Sequence, residues 1–209
     1  MLAVSLFPGA DMTFQALKIL PALLMAATLL MTGCKDAPAP EAPAKAGATP
    51  VSTAVVAAEA KGFSVGSTMS ARTVYVFFDP QCPHCNALWL AAKPLKSQAK
   101  FVWIPVGLLN ASSTAQGATL LAAKDPAAAM DEHEASMQAK SGGISAGSDI
   151  AAQKDMVASN TALLTRLGFG SIPTIIGTHA QSGALVTQEG SMPTAALAAL
   201  LGLQVPTAP

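Results

Sequence analysis

The chain has 209 residues, which is enough for one domain of ordinary size with short appendages. Lys plus Arg and Asp plus Glu both number 12, so the formal net charge of +0 creates no field that would attract nucleic acid. The hydrophobic fraction is 51%, yet beyond residue 33 no apolar run approaches the roughly 18 residues that a spanning helix needs. We therefore expect one folded domain, no nucleic-acid partner, and membrane contact only through the N-terminus.

Residues 1–33 have the pattern of a bacterial export signal. Lys18 supplies a positive flank, Ile19–Met31 is an apolar core of signal-peptide length, and two small residues follow it. Translation from Met12 gives a cleaner signal than translation from Met1, so the true start is expected at Met12. The sequence predicts export and removal of this segment.

The end of this signal resembles the lipobox of bacterial lipoproteins. Leu30–Cys34 has the required small residues before a cysteine, although Met31 stands where leucine is usual. We expect lipidation of Cys34, and Lys35 after it resembles lipoproteins that are forwarded to the outer membrane. Ordinary secretory cleavage and an uncleaved anchor are the alternatives.

Residues 34–60 are predicted to form a tether. The segment consists largely of alanine, proline and threonine with a few charges, a composition that cannot build a core and favours extended chain. The folded domain is therefore expected over residues 61–205, held clear of the membrane surface.

The first clear elements of that domain are a strand, a helix and a second strand. Val74–Phe78 is the β-branched and aromatic run of a strand buried on both faces, and Asp79-Pro80 ends it. Pro83 suits the first turn of a helix, which Pro94 should interrupt. Lys100–Val106 then predicts a second strand, so the unit is a right-handed βαβ crossover.

The rest of the chain predicts inserted helices, a hairpin and a terminal helix. Residues 112–167 are rich in alanine, with Asp125-Pro126 starting a helix, a break at residues 141–143 and a stop at Gly168. Thr174–Gly177 and Ala184–Glu189 predict a hairpin, and residues 192–201 a final helix. This order indicates the α/β class and is that of a thioredoxin fold with a helical insertion.

Cys82-Pro83-His84-Cys85 stands at the junction of the first strand and helix. At a helix N-terminus, free N–H groups and the helix dipole stabilise a thiolate on Cys82, and His84 adds positive charge. Cys85 lies one turn further along the helix, where it is shielded and able to resolve a mixed disulfide on Cys82. The motif predicts a redox-active pair that needs no cofactor.

Four other interpretations of the cysteines are weighed against this one. A structural disulfide gains little from closing so short a loop, and a zinc site would need scattered ligands because there is no second cysteine pair. Copper binding by the thiol pair with a methionine is the main alternative function, which makes the chain a metal-handling lipoprotein. An inert remnant of the motif in a structural lipoprotein is the last. We predict no metal site.

Residues 62–202 resemble the periplasmic disulfide interchange proteins of the DsbC and DsbG group. The likeness is carried by Phe78–Cys85, which is similar to the DsbG active site, and by Ala115–Pro126, which is similar to the start of its helical insertion. Thioredoxin carries a buried acid six residues before the first cysteine, whereas Val76 stands there, as the DsbC group implies. One candidate proton acceptor is therefore missing.

The resemblance also identifies a peptide-docking position at Ile172-Pro173. It implies that Pro173 follows a cis peptide bond and faces the cysteines. The sequence departs from the group at two places: Ile172 replaces a threonine, and Pro83-His84 replaces a tyrosine-containing dipeptide. Because an imidazolium beside the thiolate favours the reduced form, we expect a more oxidising pair.

The resemblance implies a periplasmic thiol:disulfide oxidoreductase whose partners are exported proteins and a membrane redox protein. The group isomerises disulfides as dimers held by an N-terminal domain, for which the residues before Val74 are too few. We expect a monomer that oxidises or reduces but isomerises poorly. His133 and His179 are expected on a solvated helix face and in the hairpin, and Trp89 and Trp103 in the core.

Overall fold

The computed structural model describes residues 49–205. The predicted export signal over 1–33, the lipidation site Cys34 and the tether residues up to 48 lie outside the described residues. Within residues 49–205, no helix combines the length and the apolar character needed to cross a bilayer.

A five-stranded mixed sheet forms the centre of the fold. Its strands are β1 (Phe63–Gly66), β2 (Thr73–Phe78), β3 (Lys100–Pro105), β4 (Thr174–Thr178) and β5 (Leu185–Glu189). The order across the sheet is β1-β3-β2-β4-β5, in which only β2 and β3 run parallel. β2 is thus the middle strand, and its carboxyl end delivers the chain to the cysteine motif.

Within the described part of the chain, six helices surround this sheet. They are α1 (Thr53–Glu59), α2 (Pro83–Ala92), α3 (Ala111–Ala122), α4 (Pro126–Gln138), α5 (Ala151–Arg166) and α6 (Thr194–Leu201). The crossover helix α2 ends in a 3₁₀ turn over Lys93–Leu95, since Pro94 has no N–H to continue the α-helix. Helices α3, α4 and α5 constitute the insertion, and Asp125 caps α4 by accepting a hydrogen bond from Ala128 N at 3.1 Å.

Both faces of the sheet are covered, as the continuous apolar character of β2 requires. Val76 and Phe78 point to one face, where Leu88 of α2 and Leu197 of α6 pack on them. Phe77 points to the opposite face, which is covered by Val56 of α1, by Leu163 and Leu164 of α5, and by Leu167 directly after α5. The strand is therefore buried on both sides.

The predicted start of the domain at residue 61 is wrong, because the fold begins within the predicted tether. Ser52 caps α1 by accepting from Val55 N at 3.1 Å, and Val56 is fully buried against the sheet. Thr49 N donates to Arg166 O at 3.0 Å, which ties the segment to the end of α5. The alanine-rich composition concealed a short amphipathic helix whose stability comes from tertiary packing.

Candidate active site

The cysteine pair lies where β2 gives way to α2. After Phe78 the chain turns, and Cys82 N donates to the carbonyl of Asp79 at 3.0 Å. Cys82 occupies the N-cap position of α2, and Pro83 is the first helical residue, where the missing N–H of proline breaks no helical hydrogen bond. The sulfur of Cys82 is therefore presented to the free N–H groups of a helix N-terminus.

The two cysteines differ in their access to solvent. Both are free thiols, but Cys82 keeps 5% of its surface exposed whereas Cys85 is fully buried in the core cluster below it. Pro83 and His84, between them, are exposed. Only Cys82 can meet a second molecule, and Cys85 can react only with Cys82.

The environment of Cys82 favours its thiolate. A hydrogen bond from the Cys85 thiol is the largest cause, and together with the N–H groups of Cys85 and His84 and the charge of His84 it lowers the pKa of Cys82 to about 6. Burial opposes this shift without reversing it. The same contact acts oppositely on the donor: burial, and then the hydrogen bond to Cys82, raise the pKa of Cys85 far above that of an ordinary thiol. The pair therefore holds one thiolate and one thiol.

Asp79 fixes the loop that carries the pair. Its side chain is fully buried, and its Oδ2 accepts from Leu108 N at 2.7 Å and from Leu109 N at 3.0 Å, while Oδ1 accepts from Gln81 N at 2.9 Å. Three backbone donors thus share one carboxylate. The contact joins the cysteine loop to the segment after β3, where the side chains of Leu108 and Leu109 are exposed.

The loop before β4 approaches Cys82 from the other side. The Ile172–Pro173 peptide bond is cis, and the carbonyl oxygen of Ile172 lies 3.9 Å from Cys82 Sγ. Pro173 is buried and Ile172 is half-buried, so the neighbour of the sulfur is a backbone carbonyl and no hydroxyl. The structure thus brings the carbonyl of Ile172 next to the sulfur of Cys82, and peptide docking at this position stays a prediction.

Helix α4 of the insertion docks on α2 close to the pair. Asp131 accepts from Trp89 Nε1 at 2.7 Å and forms an ion pair with Lys93 at 2.6 Å. One turn along α4, Glu134 Oε2 accepts from the Asn86 amide. Glu134 is only 3% exposed, and burial raises its pKa to about 7. The sequence singled out none of the three polar contacts, because they depend on how α4 packs.

The expectation of a solvated His133 is wrong. The side chain is fully buried: Nε2 donates to the carbonyl of Pro80 at 2.7 Å, and Nδ1 accepts from Ile144 N at 3.2 Å. A carbonyl accepts only and an N–H donates only, so the imidazole is neutral with its proton on Nε2. His133 therefore fastens the loop after α4 to the turn before Cys82.

Two glutamines join the same loop to the same turn. Gln116 Nε2 donates to the carbonyls of Gly142 at 2.7 Å and Ile144 at 3.0 Å, and Gln81 Nε2 donates to Gln116 Oε1 at 2.5 Å. Sequence reasoning missed this network, whose only signal was a glutamine directly before Cys82. His179, by contrast, lies in the β4–β5 connection, as expected, and Trp89 and Trp103 pack against each other in the core, with ring centroids 4.9 Å apart.

Across residues 49–205, no three side chains of His, Cys, Asp or Glu lie together in a way that could hold a metal ion. The chemistry that this site can perform is nucleophilic attack by the Cys82 sulfur, which is charged near neutral pH.

Comparison with known proteins finds one matching family and several similar proteins. The model of the family described as thioredoxin-like domain matches residues 66–204. The chain is 34% identical over 139 residues to the thiol:disulfide interchange protein DsbG of Pseudomonas aeruginosa, a match covering 66% of this chain and 54% of that protein. It is 42% identical over 65 residues to DsbG of Escherichia coli K12, covering 30% and 26% of the two chains.

The chain thus spans about half the length of the Pseudomonas relative and about a quarter of the other. Among solved structures, a periplasmic thioredoxin-like protein from Salmonella enterica serovar Typhimurium superposes with a TM-score of 0.56 at 18% identity. That match covers 74% of this chain and 97% of the other. At this identity the likeness concerns the fold alone.

Proposed function

The chain belongs to the thioredoxin-like domain family, and from that membership and the site geometry we propose that it is a thiol:disulfide oxidoreductase acting on exported proteins through Cys82 and Cys85. The observation that carries the proposal is the asymmetry of the pair. Cys82 is slightly exposed and has a pKa of about 6, whereas Cys85 is buried beneath it with a raised pKa. One thiolate that attacks and one thiol held in reserve are what disulfide exchange requires.

Reduction of a client disulfide proceeds in two exchanges. The Cys82 thiolate attacks one client sulfur, the client S–S bond breaks, and the other client sulfur leaves as a thiolate. Cys85 then gives up its proton and attacks Cys82 Sγ, which forms the Cys82–Cys85 disulfide and releases the second client sulfur. The client gains two electrons and the pair loses two. Run backwards, the same steps donate a disulfide to a client dithiol.

Two surfaces support client docking beside Cys82. The carbonyl of Ile172 lies 3.9 Å from the sulfur, and the backbone at this position offers an extended client segment a place to align. On the other side, the side chains of Leu108 and Leu109 are 43% and 51% exposed at a position that Asp79 holds next to the cysteine loop. Unfolded exported chains present apolar side chains that would contact these leucines.

The low pKa of Cys82 favours a net oxidising direction. Stabilising the thiolate stabilises the reduced pair, which makes its disulfide a better oxidant. His84 adds to this effect through its charge. We propose that the pair donates disulfides more readily than it reduces them, and that a membrane redox protein resets it.

Location and assembly complete the proposal. We place the domain in the periplasm, tethered to the outer membrane by lipid on Cys34, which fatty-acid labelling of the wild type and of Cys34→Ala would test. An unlabelled wild type would refute the anchor. We also propose that the domain acts as a monomer, and a dimer mass in light scattering would contradict this.

The activity is tested with a peptide that contains one disulfide. Wild-type protein in its reduced form should reduce the peptide, and Cys82→Ser should not. Cys85→Ser should stop after the first exchange and accumulate a mixed disulfide that mass spectrometry detects on Cys82. Turnover by Cys82→Ser, or a wild type without turnover in either direction, would refute the proposal.

A further inference from the structure

Glu134 is a buried acid beside the cysteine pair that the exchange steps above leave unused. It lies on α4 with 3% of its surface exposed. Oε2 accepts from the amide of Asn86, while Oε1 has no hydrogen-bond partner among residues 49–205. A carboxylate so placed has lost most of its hydration and regained one hydrogen bond, which favours the protonated form.

The partner of Glu134 connects it to the reacting sulfurs. Asn86 directly follows Cys85 on α2, and its own backbone N–H donates to the carbonyl of Cys82 at 3.2 Å. The Glu134 carboxyl is thus held against the helical turn that begins at the nucleophile. An electrostatic interaction between these two groups is poorly screened, because both are largely excluded from water.

Few charges compete at this position. Facing Glu134 are the Cys82 thiolate and Lys93 from the α2 segment, and Asp131 from its own helix. The two other elements that pack most extensively on α4, namely α3 and β1, carry no charged residues within their ranges. Burial is the main reason that the pKa of Glu134 rises to about 7; Asn86 opposes it, and the negative charges of Cys82 and Asp131 add to it.

The charge on Cys82 depends on the redox state of the pair. In the reduced protein a thiolate lies at the start of the helical turn that Glu134 contacts, and two buried negative groups disfavour each other. In the disulfide form the sulfur is neutral, so Glu134 ionises more easily. Resting on the proposed function, we propose that Glu134 is a redox-linked proton site, which takes up a proton when the Cys82–Cys85 pair is reduced and releases it when the pair is oxidised.

The proton balance of client reduction follows. Before the reaction the pair holds a Cys82 thiolate, a Cys85 thiol and a protonated Glu134. Afterwards it holds a disulfide and an ionised Glu134, and the two client sulfurs have received two electrons and two protons, one proton from Cys85 and one from Glu134. Glu134 acts on Cys82 through an electrostatic interaction. The acid comes from helix α4 of the insertion, whereas β2 carries Val76 and no acid.

The test is the pH dependence of the redox equilibrium between the full-length protein and glutathione. Just below pH 7, the wild-type protein should take up one more proton on reduction of the Cys82–Cys85 pair than the Glu134→Gln variant does. One proton changes the equilibrium constant tenfold per pH unit, which is about 30 mV per pH unit for two electrons. Glu134→Gln should also lower the pKa of Cys82 further, whereas the exposed neighbour control Glu132→Gln should change neither.

A second variant and a second readout guard against misfolding of Glu134→Gln. Asn86→Ala removes the hydrogen bond that lowers the pKa of Glu134, so the break in the pH dependence should move to higher pH. Infrared difference spectra of the wild type near pH 7 should show a protonated carboxyl band that grows on reduction. An unchanged band, or a Glu134→Gln pair that still exchanges with the wild-type pH dependence, would overturn this inference alone. A wild-type pair that does not exchange at all would instead refute the proposed function, and this inference with it.

Discussion

Cys85 has a role before it resolves any mixed disulfide, because its thiol is the main stabiliser of the Cys82 thiolate. Cys85→Ala removes that donor and leaves only backbone N–H groups and the charge of His84. Cys85→Ser keeps an O–H donor of similar size at the same position. We expect the pKa of Cys82 to rise markedly in Cys85→Ala and to stay close to 6 in Cys85→Ser.

The size of the effect follows from the shift. Lowering the pKa of Cys82 from 9.0 to about 6 corresponds to about 4 kcal/mol in favour of the thiolate. A thiol of pKa 6 is about nine-tenths ionised at pH 7, whereas one of pKa 9 is about one-hundredth ionised. Since Cys85 is the largest cause of the lowering, we expect its loss to return the pKa of Cys82 more than about one unit towards 9.0.

Thiolate absorbance in the ultraviolet, followed against pH, measures this directly in the two variants because each has a single active-site thiol. The rate of alkylation against pH provides an independent value. The charge of His84 is the smallest of the causes that lower the pKa of Cys82. His84→Gln should therefore raise this pKa by less than Cys85→Ala does. A Cys82 pKa that stays near 6 in Cys85→Ala would refute the argument that the buried thiol holds the thiolate.

Three further variants test the scaffold of the site. Asp79→Asn leaves one oxygen for three backbone donors and should lower the free energy of unfolding by about 3 kcal/mol in denaturant titrations. The exposed control Asp155→Asn should not lower it. Val56→Ala should cost about 2 kcal/mol by the same measurement, and no loss would mean that α1 does not pack on the sheet. Burial lowers the pKa of His133 below 6.5, so residue 133 takes up a proton in the unfolded chain before it does in the folded one as the pH falls. Thermal unfolding should therefore show a loss of stability below pH 6.5, and this loss should be smaller in His133→Gln.

The sequence was sufficient for those parts of the fold that carry strong local signals. The central strand β2, the helix that begins at Pro83 and the β4–β5 hairpin lie where the apolar runs and proline positions predicted them. The thioredoxin fold and the resemblance to DsbG are confirmed by the family match and by the relatives. Strand β1 was missed, although Phe63 and Val65 alternate with exposed residues as an antiparallel strand requires.

The parts that could not be predicted depend on tertiary packing. Helix α4 has little amphipathic character, so its sequence does not reveal that His133 and Glu134 face inward while Asp131 and Glu132 are exposed. The docking of α4 on α2 decides this, and no local pattern encodes that docking. At Val76 the sheet has no acid, and an acid delivered from another element is invisible to motif reasoning.

The ties between the insertion and the turn before Cys82 limit how this domain could be rebuilt. Excising α3 to α5 would leave the Pro80 carbonyl without His133, the Asn86 amide without Glu134 and the Gln81 side chain without its acceptors. The remaining sheet and helices would keep a recognisable topology but lose the groups that orient the reactive loop. Grafting the four-residue cysteine motif onto a plain thioredoxin scaffold would accordingly transplant the sulfurs without their surroundings, and chimeras of this family should exchange the motif and the insertion as one module.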